Sequence, residues 1–293
     1  MNLLFDQIKL GKKRRLLEAH SAISAMIVEN SSIYDKNGEK KEFDGVWVSS
    51  LTLSLSKGLP DIELVDITSK LNLIQEIRRI SNKPIIVDCD TGSLKEQFGF
   101  IVNALERGGV SAIVIEDKFG YKQNSLIEEN ENQKQESVEN FCDKIRIGVR
   151  AMQHDTIGIV ARIESFILGK GLDDALFRAK AYINAGASGI LIHSKDKSAD
   201  KVIEFAKVFK VDFPNIPLFC VPSKFNSIAD EELFSSGFDV VIHANHLLRA
   251  AYPAMLNTAK SILQFDRSYE AGTDIMEIND ILSLIPDPNV MPI

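Results

Sequence analysis

Asp88-Cys89-Asp90-Thr91-Gly92 places two carboxylates two residues apart, directly after the apolar run Pro84-Val87. On a strand such residues share a face, so both side chains can serve one cation. Oxygen donors suit Mg²⁺, which keeps several of its waters and needs only one or two carboxylates. Glu116, at the end of the next apolar run, offers a third, to the ion or to its waters. The aspartates could equally cap a turn or pair with arginine. Three clustered carboxylates repel without a cation, however, and that favours a metal. Arg162, after Ile157-Ala161, presents a guanidinium fork suited to carboxylate or phosphate, with Glu164 placed to orient it; a purely structural Arg-Glu pair is the alternative. His193 can donate to an anion or move a proton, although a lone strand-end histidine is often structural. His154 and His243 receive no role.

These groups need elements to position them. Short apolar runs recur at Arg15-Ala19, Gly45-Val48, Pro84-Val87, Ala112-Ile115, Ile157-Ala161, Gly189-Ile192, Leu218-Val221 and Val240-Ile242. Several are apolar almost throughout, as expected of parallel strands covered on both faces. Helical stripes lie between them: Phe98, Ile101, Val102 and Leu105 precede Gly108, while Leu172, Ala175, Leu176, Ala179 and Ile183 precede a C-cap at Gly186. Eightfold strand-helix alternation predicts an α/β fold, a (β/α)8 TIM barrel spanning 1–293 as one domain; an open doubly wound sheet is the alternative. In such a barrel the C-terminal strand ends form the active face. Polar residues collect there: Glu18 and His20; Trp47, Ser49 and Ser50; Asp88 and Asp90; Glu116, Asp117 and Lys118; Arg162 and Glu164; His193; Ser223 and Lys224; Asn245 and His246.

Two segments break the rhythm. Ser31-Phe43 reads as a polar surface insertion, and Glu128-Glu139 as an exposed, mobile loop, with Lys118-Leu126 before it the better candidate for a lid. The net charge of −7 argues against nucleic-acid or anionic-membrane binding, so an anionic substrate would need a local cation. No apolar run reaches a membrane span, and no signal-peptide core follows Lys12-Lys13-Arg14-Arg15, which predicts a cytoplasmic protein. Three cysteines without CxxC spacing predict reduced thiols rather than a disulfide framework or structural zinc.

With these residues in hand, the chain resembles the phosphoenolpyruvate mutase branch of the isocitrate lyase superfamily, from about Leu17 to Ala250. The motifs, in strand order, are Glu18-Ala19-His20, Gly45-Val-Trp47-Val-Ser49-Ser50, Pro60-Asp61-Ile62-Glu63, Asp88-Cys-Asp90-Thr-Gly92 and Glu116-Asp117-Lys118, then Lys122-Gln123-Asn124-Ser125, Ala161-Arg162-Ile-Glu164, His193-Ser194-Lys195 and Ala244-Asn245-His246-Leu-Leu-Arg249-Ala250. The resemblance implies a Mg²⁺-dependent isomerase interconverting phosphoenolpyruvate and phosphonopyruvate. It implies Asp88 as metal ligand, Asp90 and Glu116 holding the metal's waters, and Asp61 as a supporting carboxylate. Trp47 would pack on the substrate, amides around Ser49 and Ser50 would hold its carboxylate or keto oxygen, and Arg162 and His193 would bind its anionic groups. Lys122, Asn124 and Ser125 would ride on a closing loop.

Within the superfamily, the carbon-carbon lyases carry a Lys-Lys-Cys-Gly-His type loop with a catalytic cysteine, absent from Lys118-Ser125 here. Oxaloacetate hydrolases share the barrel but match the Lys-x-Asn-Ser loop less well. Phosphonopyruvate hydrolase is the nearer rival, and Asn124 favours the mutase. The loop departs from the usual Phe-Pro-Lys-Thr-Asn-Ser at Gly120-Tyr121 and Gln123, and Cys89 replaces a small residue. A non-catalytic scaffold barrel is disfavoured, because structure alone gives these strand-end residues no common purpose. The resemblance also implies a homodimer or homotetramer exchanging a C-terminal helical segment, about 252–285. Phosphonopyruvate formation being uphill in this family, it implies a consuming partner as well, such as phosphonopyruvate decarboxylase.

Overall fold

The computed structural model describes residues 3–120, 122–125 and 133–285. The chain forms two compact units, Met1–His246 and Leu247–Ile293. The first holds a closed barrel of eight strands: β1 (Arg14–Glu18), β2 (Gly45–Val48), β3 (Ile85–Asp88), β4 (Ala112–Glu116), β5 (Gly158–Ile163), β6 (Gly189–Ile192), β7 (Leu218–Cys220) and β8 (Val240–His243). Each pairs in parallel with its neighbours in sequence, and β1 closes the ring against β2 and β8, with Leu16 opposite Gly45 and Arg14 opposite Val240. All eight expected strands are present, two with the expected ends and the others with ends moved by one or two residues.

Helices α1 (Leu3–Lys9), α2 (Ala22–Asn30), α3 (Ser50–Ser56), α4 (Ile67–Ile80), α5 (Lys95–Arg107), α6 (Val138–Ala151), α7 (Gly171–Asn184), α8 (Asp200–Asp212) and α9 (Asp230–Ser235) belong to this unit. In α5 the expected stripe faces inward, with Phe98, Val102 and Leu105 buried. The stripe of α7 is only partly right. Ala175 and Ala179 are buried, but Leu176 and Ile183 are only half-buried, and Arg178 and Tyr182 take the inner positions. The reason is Asp117, fully buried at the end of β4, which accepts from Tyr182 Oη at 2.7 Å and Arg178 Nη1 at 3.3 Å. A buried carboxylate must find such donors. The C-cap of α7 is Ala185, and Gly186 follows it at φ 106°, the left-handed position that ends a helix.

Helix α1 was not expected. Leu4, Phe5 and Ile8 join the barrel's interior core with Leu16, Ile86, Val160 and Phe219, plugging the ring below the site. Gly158 opens β5 because a Cβ there would meet the Phe5 ring at 2.3 Å.

The insertion Ser31-Phe43 is an ordered, exposed hairpin, Ser32–Tyr34 against Lys40–Glu42, turned by Asp35, whose Oδ1 accepts from Asn37 N and Glu39 N. In the Glu128-Glu139 stretch, residues 128–132 lie outside the described residues. The remainder is not simply a solvated loop: Lys134–Gln135 pair antiparallel with Lys118–Phe119, and Ser137 caps α6. That pairing ties Lys134–Gln135 to the chain just beyond β4. Leu126 and Tyr121 also lie outside the described residues.

The second unit carries most of α10 (His246–Phe265) and α11 (Ile278–Ser283). Tyr252, Met255, Leu256, Ile262 and Leu263 of α10 are exposed. Among the described residues no helix is long and apolar enough to cross a membrane.

Candidate active site

Strand ends β2 to β8 surround a cavity of about 50 Å³, room for a small molecule rather than a polymer. Its lining includes Trp47, Ser49, Ser50, Asp61, Asp88, Glu116, Lys122, Asn124, Ser125, Arg162 and His193, so most of the expected site residues converge. Ser223 and Asn245 line it too. Glu18 and His20 instead pair with each other at 3.1 Å.

The carboxylate corner is built differently from the expected strand. β3 ends at Asp88, and Asp90 sits beyond it in the left-handed region, φ 55°. A turn therefore aims the second carboxylate, not strand alternation. Gly92 completes the turn at φ 80°, where a Cβ would also press on Ile115 and Phe98 at 3.1 Å. Asp88 Oδ1 accepts from Asp90 N at 3.1 Å, and Asp88 Oδ2 from Ser50 Oγ at 3.0 Å. Ser49 caps α3, which holds Ser50 over the strand end.

Asp90 itself is absent from the cavity wall, because lysines cover both of its oxygens: Lys122 on Oδ1 and Lys70 on Oδ2, the latter at 2.8 Å. Burial alone would raise this carboxyl, but the two ammonium groups win and hold it well below its usual range. Lys122 Nζ also donates to Asp61 Oδ1 at 2.8 Å and Ser50 Oγ at 3.0 Å, while Asn124 Nδ2 donates to Asp61 Oδ2 at 2.7 Å. Asp61 thus holds both Lys122 and Asn124.

Across the cavity, Glu164 gathers Arg162, Ser125 and His193. Arg162 Nε donates to its Oε1 at 2.5 Å and Ser125 Oγ to its Oε2 at 2.7 Å, with His193 Nδ1 3.2 Å from Oε1. Arg162 Nη2 reaches Ser125 Oγ at 2.9 Å and His193 Nδ1 at 2.8 Å. Burial, then the neighbouring guanidinium, depress the His193 imidazole below its ordinary range. His193 Nδ1 thus lies between a donor, Arg162 Nη2, and an acceptor, Glu164 Oε1.

Among the described residues no group of three or more His, Cys, Asp or Glu side chains is placed to hold a metal ion. Mg²⁺ does not need one. One observation fits a divalent cation held by Asp88 with its waters on neighbouring carboxylates: buried Glu116 Oε1 has no hydrogen-bond partner, the Lys118 ammonium standing 3.6 Å away. The Lys122 ammonium, among Asp61, Asp90 and Ser50, already neutralises part of that corner. Burial pushes Glu116 up to about 7, which a bound cation would reverse. Cys89 is pushed up to about 12 by burial, so it is neither a nucleophile nor a soft ligand at neutral pH.

Lys70 escaped the reading of the sequence. It stands at i to the stripe Leu73, Ile74 and Ile77 of α4, at the spacing of a buried position, and that charged residue on an apolar stripe was the available signal. Glu63 appeared in a motif without a role, and Lys144 was missed as well. Glu63 accepts from Thr91 Oγ1 and Ser93 N, and Lys144 Nζ donates to the Thr91 and Ser93 carbonyls, clamping the turn from both sides.

A family model described as phosphoenolpyruvate phosphomutase matches residues 5–263. The phosphoenolpyruvate phosphomutase of Tetrahymena pyriformis is 31% identical over 270 residues, covering 92% of this chain and 85% of that protein. The crystal structure of phosphoenolpyruvate phosphomutase from Streptomyces platensis subsp. rosaceus superimposes with a TM-score of 0.86 at 31% identity, covering 97% of this chain and 95% of that one. Phosphonopyruvate hydrolase in complex with oxalate and Mg²⁺ superimposes with a TM-score of 0.82 at 27% identity, covering 97% and 95%. The chain belongs to the phosphoenolpyruvate phosphomutase family, enzymes of the isocitrate lyase superfamily.

Proposed function

We propose that this enzyme interconverts phosphoenolpyruvate and phosphonopyruvate with Mg²⁺ bound at Asp88 and supported through water by Asp90 and Glu116. The observation that carries the reading is Asn124, hydrogen-bonded to Asp61 over a cavity it shares with Arg162 and His193. In the forward direction the P–O bond of phosphoenolpyruvate breaks, and its electron pair remains as pyruvate enolate. C3 then attacks phosphorus and forms the C–P bond, with no water consumed. The metal, when bound, supplies a Lewis acid for the enolate oxygen. Amides at Ser49 and Ser50 share that charge, and Trp47 packs on the flat enolate. Arg162, His193 and Asn124 hold the phosphoryl oxygens during transfer, when charge is spread over them. Lys122 and Ser125 keep the segment closed, which matters because any water at phosphorus would give phosphate instead.

Phosphorus NMR of the enzyme with phosphonopyruvate and Mg²⁺ tests the reading. A phosphoenolpyruvate signal is expected. Inorganic phosphate with pyruvate would show a hydrolase, and no turnover after metal loading a scaffold. Asn124→Ala is expected to lose mutase turnover by about 10²-fold, the scale of one lost transition-state donor, and to divert remaining product to phosphate. An unchanged product ratio and rate would remove the main reason for preferring the mutase. A reaction that consumes phosphonopyruvate, such as decarboxylation, is the fitting pathway neighbour.

The exposed apolar residues of α10 support assembly into a dimer or tetramer in which the segment 252–285 packs on another copy. Leu256→Asp is expected to shift the species seen by light scattering towards monomer. A wild-type protein that is already monomeric at micromolar concentration would sink the proposal.

A further inference from the structure

We infer that Lys70 is a positioning residue of the metal corner, one that holds Asp90 as an outer carboxylate and fixes the turn carrying it. The inference rests on the metal reading above. Lys70 lies in the first turn of α4, after the cap Asp66, and is only 5% exposed. A cation there opposes the helix dipole, and an unpaired buried ammonium is costly. Leucine or methionine would serve the apolar stripe better. Neither helix stability nor packing therefore explains the residue.

Its contacts do. Nζ donates to the Asp88 carbonyl and to Asp90 Oδ2, both at 2.8 Å. The first bond grips the end of β3, where the chain leaves the barrel; the second fixes the carboxylate of a residue in the left-handed conformation, which aspartate tolerates better than most residues but which leaves its side chain to be aimed by its partners. Asp90 O also accepts from Glu116 N at 2.8 Å, so the same turn sets the backbone of the third carboxylate. With Oδ2 committed to Lys70 and Oδ1 to Lys122, Asp90 stands behind the cavity wall and can serve an ion only at a distance, through water, not by a two-oxygen grip. Lys70 is not part of the cavity wall formed by Asp88 and Glu116, so it acts through Asp90 rather than on substrate.

The test is Mn²⁺ titration by calorimetry of wild type, Lys70→Met, Asp90→Asn and the double variant, with thermal unfolding of each. Wild type should bind one Mn²⁺. Lys70→Met should bind it roughly 10- to 100-fold more weakly, the usual effect of removing an outer partner. The double variant should be no weaker than Asp90→Asn alone, because Lys70 then has nothing to position. Lys70→Gln, which keeps a donor, should fall between wild type and Lys70→Met; it carries the test if the methionine variant does not fold. Affinities of both Lys70 variants within twofold of wild type, or losses that simply add in the double variant, would overturn the inference while leaving the metal reading intact. Failure of wild type to bind Mn²⁺ would overturn both.

Discussion

Replacing Arg162 by lysine is expected to lower kcat/KM by about 10²- to 10³-fold, corresponding to roughly 3–4 kcal/mol of lost transition-state stabilisation. The charge is retained, so geometry alone is tested. The guanidinium is held by Glu164 at 2.5 Å, meets His193 at 2.8 Å and Ser125 at 2.9 Å, and lies 3.4 Å from Glu116. Five donors in a rigid plane can keep those partners and still face a phosphate or carboxylate; three donors on one lysine nitrogen cannot. Steady-state kinetics with phosphonopyruvate, alongside a melting curve to confirm folding, measures the effect. A loss below tenfold would show that Arg162 is chiefly a structural partner of Glu164.

Asp88→Asn should be the most damaging change in the carboxylate corner, reducing turnover by about 10³-fold or more as the Lewis-acid contribution of several kcal/mol is lost. The substitution is isosteric and keeps one oxygen as acceptor, so Ser50 or the Asp90 amide retains a partner. Asp90→Asn should cost less, about 10- to 100-fold, as expected for a carboxylate acting through water. The order of the two effects is the decisive measurement. If Asp90→Asn were the worse variant, both in turnover and in Mg²⁺ required for half-maximal rate, the assignment of the direct ligand would have to be exchanged.

Much of the barrel was legible because parallel strands buried on both faces leave nearly unbroken apolar runs, and Gly45–Val48 and Gly189–Ile192 could be bounded from those runs alone. The polar residues that follow the runs pointed to the cavity for the same reason, since a strand end is where the chain first meets solvent. Local pattern failed where a partner distant in sequence decides a residue's environment. Arg178 and Tyr182 face inward because Asp117 lies behind them, Phe5 is buried because Gly158 makes room, and Asp90 points into the corner because a left-handed turn, not a strand, carries it.

By itself, then, the sequence determined the class of fold, the face of the barrel that works and the residue types gathered there, because burial periodicity and strand-end polarity are local properties of the chain. The tertiary structure alone decided which of those charges meet. Asp90 lies between Lys70 and Lys122, which are 52 positions apart, and Asp61 is held by Lys122 and Asn124, at least 61 positions away. No local pattern specifies such pairings; they exist only once the barrel closes and excludes the water that would otherwise screen them.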